Sequence, residues 1–266
     1  MKVIKRVNSL KDHICNLKGN SIGFIPTMGY LHEGHMSLVH SSIAQSEYTI
    51  ASIFVNPTQF NEKSDLQNYP RDLDKDLKLL NDIGVDVVFV PEYEDLYRDE
   101  IQVEVDLSGI ENVMEGKHRK GHFLGVIRVL NLFFRIINPD YVYFGEKDYQ
   151  QLLVVKHLAK QFFPSIQVIS CPTVREKNGL AMSSRNQRLT SHDYNKAAII
   201  YRSLFKAKQL SKKMEIDKVI DILEEELSDY GAPEYVDIRD SDTLSKNISS
   251  NRSYRAFIAM KFGSIR

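Results

Sequence analysis

Short apolar runs alternate with amphipathic stretches through the first two thirds of this chain. Ile22 to Ile25 is an unbroken apolar run of strand length that Pro26 and Gly29 stop, and Met36, Leu38, Val39 and Ile43 then fall at helical spacing. Tyr48 to Val55 reads as a second strand. A helix over Leu73 to Ile83 leads into a third, Val85 to Val90, and a helix over Phe123 to Ile137 leads into a fourth, Tyr141 to Phe144. Strands separated by helices fit a parallel sheet with helices on its faces, the mark of an α/β fold. In such sheets ligands sit beyond the carboxyl ends of the strands, so chemistry is expected in the residues that follow each run.

Past Asn186 the pattern changes. Helical stretches at Ser191 to Ser211 and Ile216 to Tyr230 accompany strand-like runs at Tyr235 to Ile238 and Ala256 to Phe262, the make-up of a smaller α+β domain. No Gly-Ser linker, repeat or low-complexity segment separates the halves. The boundary is therefore placed at a hinge near Thr173, with residues 1–173 as the ligand-binding sheet domain and 174–266 as a C-terminal lid. A length of 266 residues suits a main domain with a smaller second one.

Composition narrows the function classes. Hydrophobic residues at 42% and charged residues at 26% describe an ordinary globular chain, not a disordered one. Thirty-five basic and 35 acidic side chains cancel, so no net field recruits nucleic acid or an acidic membrane, and small molecules are the expected partners. Cys15 and Cys171 stand far apart with no paired spacing, which suggests free thiols in a reducing compartment. The opening Met1-Lys-Val-Ile-Lys-Arg lacks an apolar signal core, and no run approaches the roughly 18 apolar residues that span a bilayer, so a cytoplasmic protein is expected.

The candidate chemistry begins at Met28-Gly-Tyr-Leu-His-Glu-Gly-His35. His32 and His35, three residues apart at a helix start, share one face, and the free N–H groups of the first turn face the end of the strand before it. Two uncharged or partly charged imidazoles there can donate to phosphate oxygens and bear the charge of a departing pyrophosphate. Gly34 has no Cβ, so a base or ribose can lie against the helix backbone. A chance occurrence or a metal-binding pair are the alternative readings of H-x-x-H.

After the second strand, Gln59 offers donors and an acceptor to a substrate carrying hydroxyl and carboxylate groups; an ordinary turn amide is the alternative. After the fourth, Gly145-Glu-Lys-Asp-Tyr-Gln-Gln151 forms a second phosphate-shaped turn, with Lys147 as a point charge, Asp148 as a helix cap or ribose acceptor, and Gln151 one turn inward. Glu115 to Phe123 is a basic loop that reads equally as a solvated charge run or as a neighbour of the phosphates. Val174 to Asn186 holds an Asn-Gly hairpin signal followed by Met182-Ser-Ser-Arg185, where two hydroxyls and a guanidinium can close over a triphosphate; a plain surface loop is the other reading.

Taken together these segments resemble the pantothenate synthetase family, enzymes that join pantoate to β-alanine using ATP. The likeness covers nearly the whole chain and rests on Pro26-Thr-Met-Gly with His32-x-Gly-His35, Phe54-Val-Asn-Pro-Thr-Gln-Phe60, Tyr69-Pro-Arg71, Gly145 to Gln151, and Gly179-Leu-Ala-Met-Ser-Ser-Arg-Asn186. It implies the nucleotidyltransferase superfamily, with paired histidines and a Met-Ser-Ser-Arg loop as in class I aminoacyl-tRNA synthetases, and hence a Rossmann-like sheet domain that binds nucleotide and pantoate. On the family pattern, Met28, Gly29, Tyr30, Leu31, His32, Glu33, Gly34, His35, Gly145, Glu146, Lys147, Asp148, Val174, Met182, Ser183, Ser184 and Arg185 bind ATP. His35 is the acid donor toward the phosphates, and Gln59 and Gln151 bind pantoate, Gln59 also lying near β-alanine.

The implied reaction has two steps, adenylation of pantoate with release of pyrophosphate and then attack by β-alanine with release of AMP. Mg2+, Lys147, His32, His35, Ser183, Ser184 and Arg185 serve the first step. The metal's ligands are left unassigned, and a homodimer is implied. Three positions depart from the family pattern: Arg128 replaces a small hydroxyl residue in an apolar helix, Leu124 replaces a polar one, and the sequence stops at Arg266 before the usual Leu-Ile-Asp-Asn. An adenylyltransferase that stops at the adenylyl product and a non-catalytic nucleotide sensor are the competing functions; the convergence of Gln59 and Gln151 on an acid argues against the first, and pyrophosphate exchange discriminates the second.

Overall fold

A computed structural model describes residues 1–17, 19–247 and 252–266. The chain divides into two compact units, one of residues 1–111 and 115–174, the other of residues 112–114 and 175–266. In chain order the elements up to residue 174 are β1 (Lys2–Ile4), α1 (Val7–Cys15), β2 (Ile22–Thr27), α2 (Glu33–Gln45), β3 (Tyr48–Ile53), α3 (Lys63–Gln67), α4 (Leu73–Ile83), β4 (Val87–Phe89), α5 (Tyr93–Leu96), α6 (Met114–His118), α7 (His122–Ile137), β5 (Tyr141–Gly145), α8 (Tyr149–Phe162) and β6 (Gln167–Cys171).

The six strands form one parallel sheet in the order β1-β4-β3-β2-β5-β6. From β2 the chain steps outward through β3 and β4 on one side, then returns to add β5 and β6 on the other. The strand order thus reverses between β2 and β5, and beyond the carboxyl ends at such a switch point is where open α/β sheets bind their ligands. Phe24, Ile25, Ile50, Ala51, Val88, Val142 and Tyr143 are fully buried, as expected of strands covered on both faces. Phe133 on α7 packs edge-on against Phe24, Phe54 and Phe89 at centroid distances of 5.4, 6.4 and 6.1 Å, tying that helix to three strand regions.

Local chemistry explains the boundaries. Asp72 caps α4 by accepting from the Lys75 N–H at 3.2 Å, and Gly84 ends it in a left-handed conformation with φ of 95°, so the helix runs over the residues that its periodicity predicts. Pro26 does not stop β2, contrary to expectation, and the strand continues to Thr27. The ladder to β5 covers only Gly23 and Phe24, so the proline's missing N–H falls beyond it. The strands β1 and β6, not expected from the sequence, lie at the two edges of the sheet, and β3 and β4 are shorter than their apolar runs.

The second unit contains α9 (Ser191–Ala197), α10 (Ile199–Leu210), α11 (Ile216–Ser228) and the antiparallel pair β7 (Pro233–Asp240) and β8 (Tyr254–Met260). The single helix expected over Ser191 to Ser211 is interrupted at Ala198. Its core gathers Ile199, Ala207, Val219, Leu223, Leu227, Val236, Ile238 and Met260.

Candidate active site

Three short segments of the first unit follow the central strands. After β2 the backbone turns through Gly29 at φ of 83° and Tyr30 at φ of 54°, a conformation that costs little for the glycine and needs support for the tyrosine. Asp76 supplies that support. Its carboxylate accepts from the Tyr30 N–H and the Leu31 N–H, both at 2.7 Å, from a position on α4 that is 1% exposed. Burial pushes its pKa up, against the opposing pull of those two donors.

The turn delivers His32 as the N-cap of α2. Its Nδ1 accepts from the Gly34 N–H at 3.1 Å, and the Nδ1 of His35 accepts from the His32 N–H at 3.3 Å. This is a capping box built from two imidazoles. Because each Nδ1 is an acceptor, each neutral ring carries its proton on Nε2, and both rings are left with one outward donor. The ring centroids are 4.1 Å apart. Burial and Lys147 lower the pKa of His32 to about 4; burial, His32 and Lys147 lower that of His35 to about 3, with Asp148 opposing. Of the uncharged and partly charged forms that the sequence allows, the uncharged one holds: both rings are neutral near pH 7.

Lys147 lies in a one-turn 3-10 segment, Glu146–Asp148, between β5 and α8, with its Nζ 3.3 Å from Asp148 Oδ1. Gly145, Glu146, Lys147 and Asp148 thus stand at the end of the strand next to β2, close enough for Lys147 to act on both imidazoles. The paired glutamines of α8 part company. Gln150 is buried and spends its amide on the Glu115 N–H and the Ile110 carbonyl, whereas Gln151 is half-buried one position on.

After β3 comes a 3-10 turn, Pro57–Gln59, capped by Asn56. Gln59 Nε2 points to Met28 Sδ at 2.9 Å, so the side chain expected to hold an acid meets the first residue of the turn expected to bind nucleotide. His122, on the buried face of α7, donates from Nδ1 to the Gln59 carbonyl at 2.8 Å if its proton sits there; burial first, then Arg119, lower its pKa to about 4, so the ring is neutral. The basic loop is only partly a solvated charge run: Arg119 pairs with Glu115 at 3.5 Å and the Lys120 carbonyl accepts from Asn61. Asp76, Asn56 and His122 are site residues that the sequence motifs do not point to. Asp76 carried a readable signal, since it shares the spacing of Leu73, Leu80 and Ile83 on the apolar face of α4.

The second unit carries the remaining predicted residues. Ser183 caps the 3-10 segment Ser184–Arg188 by accepting from the Arg185 N–H at 3.3 Å; Ser184 is buried, and Met182 and Arg185 are half-buried. Val174 ends the first unit. The Asn-Gly signal does mark a reversal, with Arg175 bridged to Ala181. It is a Glu176-to-Gly179 turn closed at 2.9 Å with φ of 91° at Gly179 alone, so glycine takes the left-handed bulge position instead of the second place of a type I′ turn. Among the described residues both cysteines are free thiols, no group of three or more His, Cys, Asp or Glu is placed to hold a metal ion, and no helix is long and apolar enough to cross a membrane.

Residues 2–266 match the family model described as pantoate-beta-alanine ligase. A pantothenate synthetase of Acetivibrio thermocellus is 43% identical over 274 aligned positions, covering 100% of this chain and 97% of that protein. One of Caldicellulosiruptor saccharolyticus is 46% identical over 217, covering 81% and 77%. The crystal structure of a pantothenate synthetase from Thermus thermophilus superimposes with a TM-score of 0.91 at 36% identity, covering 98% and 95% of the two chains. That of a pantoate-beta-alanine ligase from Francisella tularensis, complexed with beta-gamma ATP and beta-alanine, superimposes with a TM-score of 0.79 at 34% identity, covering 97% of each.

Proposed function

Since this chain belongs to the pantoate–β-alanine ligase family, we infer that it condenses pantoate with β-alanine at the expense of ATP, through a pantoyl adenylate, in the biosynthesis of pantothenate. The observation that carries this reading into residues is the meeting of His32, His35 and Lys147 at the ends of β2 and β5.

In the first step a pantoate carboxylate oxygen attacks the α-phosphorus of ATP, and the bond to the β-phosphate oxygen breaks to release pyrophosphate. His32 and His35 donate from Nε2 to phosphate oxygens, and Lys147 offsets the charge that grows on them. The N–H groups at the start of α2 add a positive end to the same place. Met28 to His35, Gly145 to Asp148, Val174 and Met182 to Arg185 are proposed as the ATP contacts, with Ser183, Ser184 and Arg185 assisting adenylation from the second unit.

Gln59 and Gln151 are proposed to hold pantoate. In the second step the β-alanine amine attacks the acyl carbon, and AMP leaves with the former anhydride oxygen. No side chain becomes covalently attached; positioning and fixed charge carry the rate. Mg2+ is proposed as the partner of the triphosphate. Asp148 offers a carboxylate of the kind that Mg2+ shares with phosphates, and the ion would neutralise phosphate charge. A cytoplasmic homodimer, and a sheet domain of residues 1–173 with a lid of residues 174–266, complete the proposal.

The test is to incubate the protein with ATP, Mg2+ and pantoate and measure pyrophosphate exchange, then to add β-alanine and look for AMP and pantothenate. Exchange that requires pantoate, with AMP formed in proportion to pantothenate, is expected. ATP binding without exchange would leave only a nucleotide sensor.

A further inference from the structure

We propose that Tyr97, held in place by the Arg128–Glu100 ion pair, is a positioning residue that fixes through Asn56 which end of the Gln59 amide faces the acid substrate. The inference rests on the reading of Gln59 as a pantoate contact and goes beyond it.

The main chain around Gln59 is already pinned. A Cβ on Gly125 would lie 2.4 Å from the Thr58 carbonyl oxygen, so α7 crosses this turn in direct backbone contact, and His122 meets the Gln59 carbonyl at 2.8 Å. What stays free is the direction of the side-chain amide. Its oxygen and nitrogen ends are nearly the same in size, so hydrogen bonds decide which one faces the ligand.

Asn56 makes that decision. Its Oδ1 accepts from the Tyr97 hydroxyl at 2.9 Å and from Thr58 Oγ1 at 3.0 Å, with the Thr58 N–H at 3.3 Å. With the oxygen so committed, Nδ2 turns to the Gly125 carbonyl at 3.1 Å and to Gln59 Oε1 at 3.3 Å. Gln59 Oε1 thereby becomes the inward acceptor and Nε2 the outward donor, resting on Met28 Sδ. A thioether is a weak acceptor that a carboxylate or hydroxyl oxygen readily replaces.

Tyr97 is itself fixed from outside. Its ring stacks on Tyr93 at 4.5 Å, and the Arg128 guanidinium stands 5.4 Å from its centroid. Arg128 in turn donates from Nε and Nη2 to the two oxygens of Glu100 at 2.6 and 2.7 Å, a bidentate pair that immobilises the guanidinium. The charge that breaks the apolar pattern of α7 therefore finds its carboxylate and in doing so becomes the outer end of a relay to Gln59.

Steady-state kinetics of the full-length protein test the relay. Tyr97→Phe removes one hydroxyl and should raise the KM for pantoate about three- to tenfold while the KM for ATP stays within about twofold, because the neutral hydrogen bond to Asn56, with the longer 3.4 Å contact to Thr58 Oγ1, is lost. Asn56→Asp presents an acceptor to Gln59 Oε1 and should raise it further. In a Gln59→Ala background Tyr97→Phe should add nothing. If Gln59→Ala raises the KM for pantoate but Tyr97→Phe leaves it unchanged, or adds its effect in full on top, the relay is overturned while the assignment of Gln59 stands. If Gln59→Ala leaves that KM unchanged, the assignment of Gln59 falls and the relay falls with it.

Discussion

The Nδ1 of His35 accepts the backbone N–H of His32 at 3.3 Å, so the ring nitrogen that faces the protein is committed and Nε2 alone faces outward as a donor. A neutral donor next to Lys147 avoids the repulsion that an imidazolium would meet there, and it needs no proton from solution to serve a phosphate.

His35→Ala is accordingly expected to slow pyrophosphate release by about two orders of magnitude or more, since a charge-stabilising donor is lost from the transition state. His35→Gln, which keeps an N–H donor at the distance of Nε2, should recover part of the loss. Single-turnover pyrophosphate release measures both; a glutamine variant no better than alanine would show that the imidazole's charge, not its N–H, is what matters.

Asp76 is expected to join stability to nucleotide binding. Asp76→Ala would leave the N–H groups of Tyr30 and Leu31 without their carboxylate at a buried place, at a cost of about 1–3 kcal/mol for each unsatisfied group. The turn that presents Met28 to His35 loses its brace, so the KM for ATP should rise more than that for pantoate. Asp76→Asn keeps one acceptor and should fall between wild type and alanine in urea midpoint. Equal midpoints for all three proteins would refute the brace.

The turn between β2 and α2 was readable in the sequence because its signals are local: an apolar run, a Gly-containing reversal and a helix start occur within one segment. The edge strands lacked such a signal. Lys2–Ile4 buries only Ile4, and Gln167–Cys171 buries only Cys171, so neither shows a continuous apolar run. Tyr97, Asn56 and His122 stayed hidden for another reason. Their roles come from contacts between residues 41 to 69 positions apart, to which periodicity is blind. The charge state of the histidines was equally out of reach, since it depends on burial and on a lysine from another strand end.

Gln151→Ala should weaken pantoate more than ATP. Gln150, its neighbour, is taken up by backbone groups and serves as the internal control: Gln150→Ala should lower thermal stability without selecting between substrates, whereas Gln151→Ala should raise the KM for pantoate about tenfold, the equivalent of one lost hydrogen bond to a charged group. A fall in ATP affinity alone in the Gln151 variant would remove this residue from the acid site.

Stability should fall as pH drops from about 6.5 toward about 4, and three histidines give the sign. His32 and His122 have folded pKa values of about 4 and His35 of about 3, all below the value near 6.5 of an unfolded chain. Above that unfolded value each ring is neutral in both states and the folded state loses nothing. Below it the unfolded chain takes up protons that the folded chain refuses, so unfolding becomes easier with each step of acidification until the folded pKa is reached. The groups that face the rings set how far this goes: Lys147 holds down His32 and His35 and Arg119 holds down His122, while Asp148 pulls the other way on His35 and His122 and Glu115 on His122. His122 is the cleanest probe, because it lies on the buried face of α7 and its ring nitrogen can be replaced by the amide of glutamine as a donor to Gln59. Urea unfolding at a series of pH values should therefore give a shallower acid slope for His122→Gln than for wild type between pH about 6.5 and 4, with the two converging in slope above pH about 7. Parallel slopes across the acid range would mean that His122 is charged in the folded protein, and the neutral donor assigned to it would be wrong.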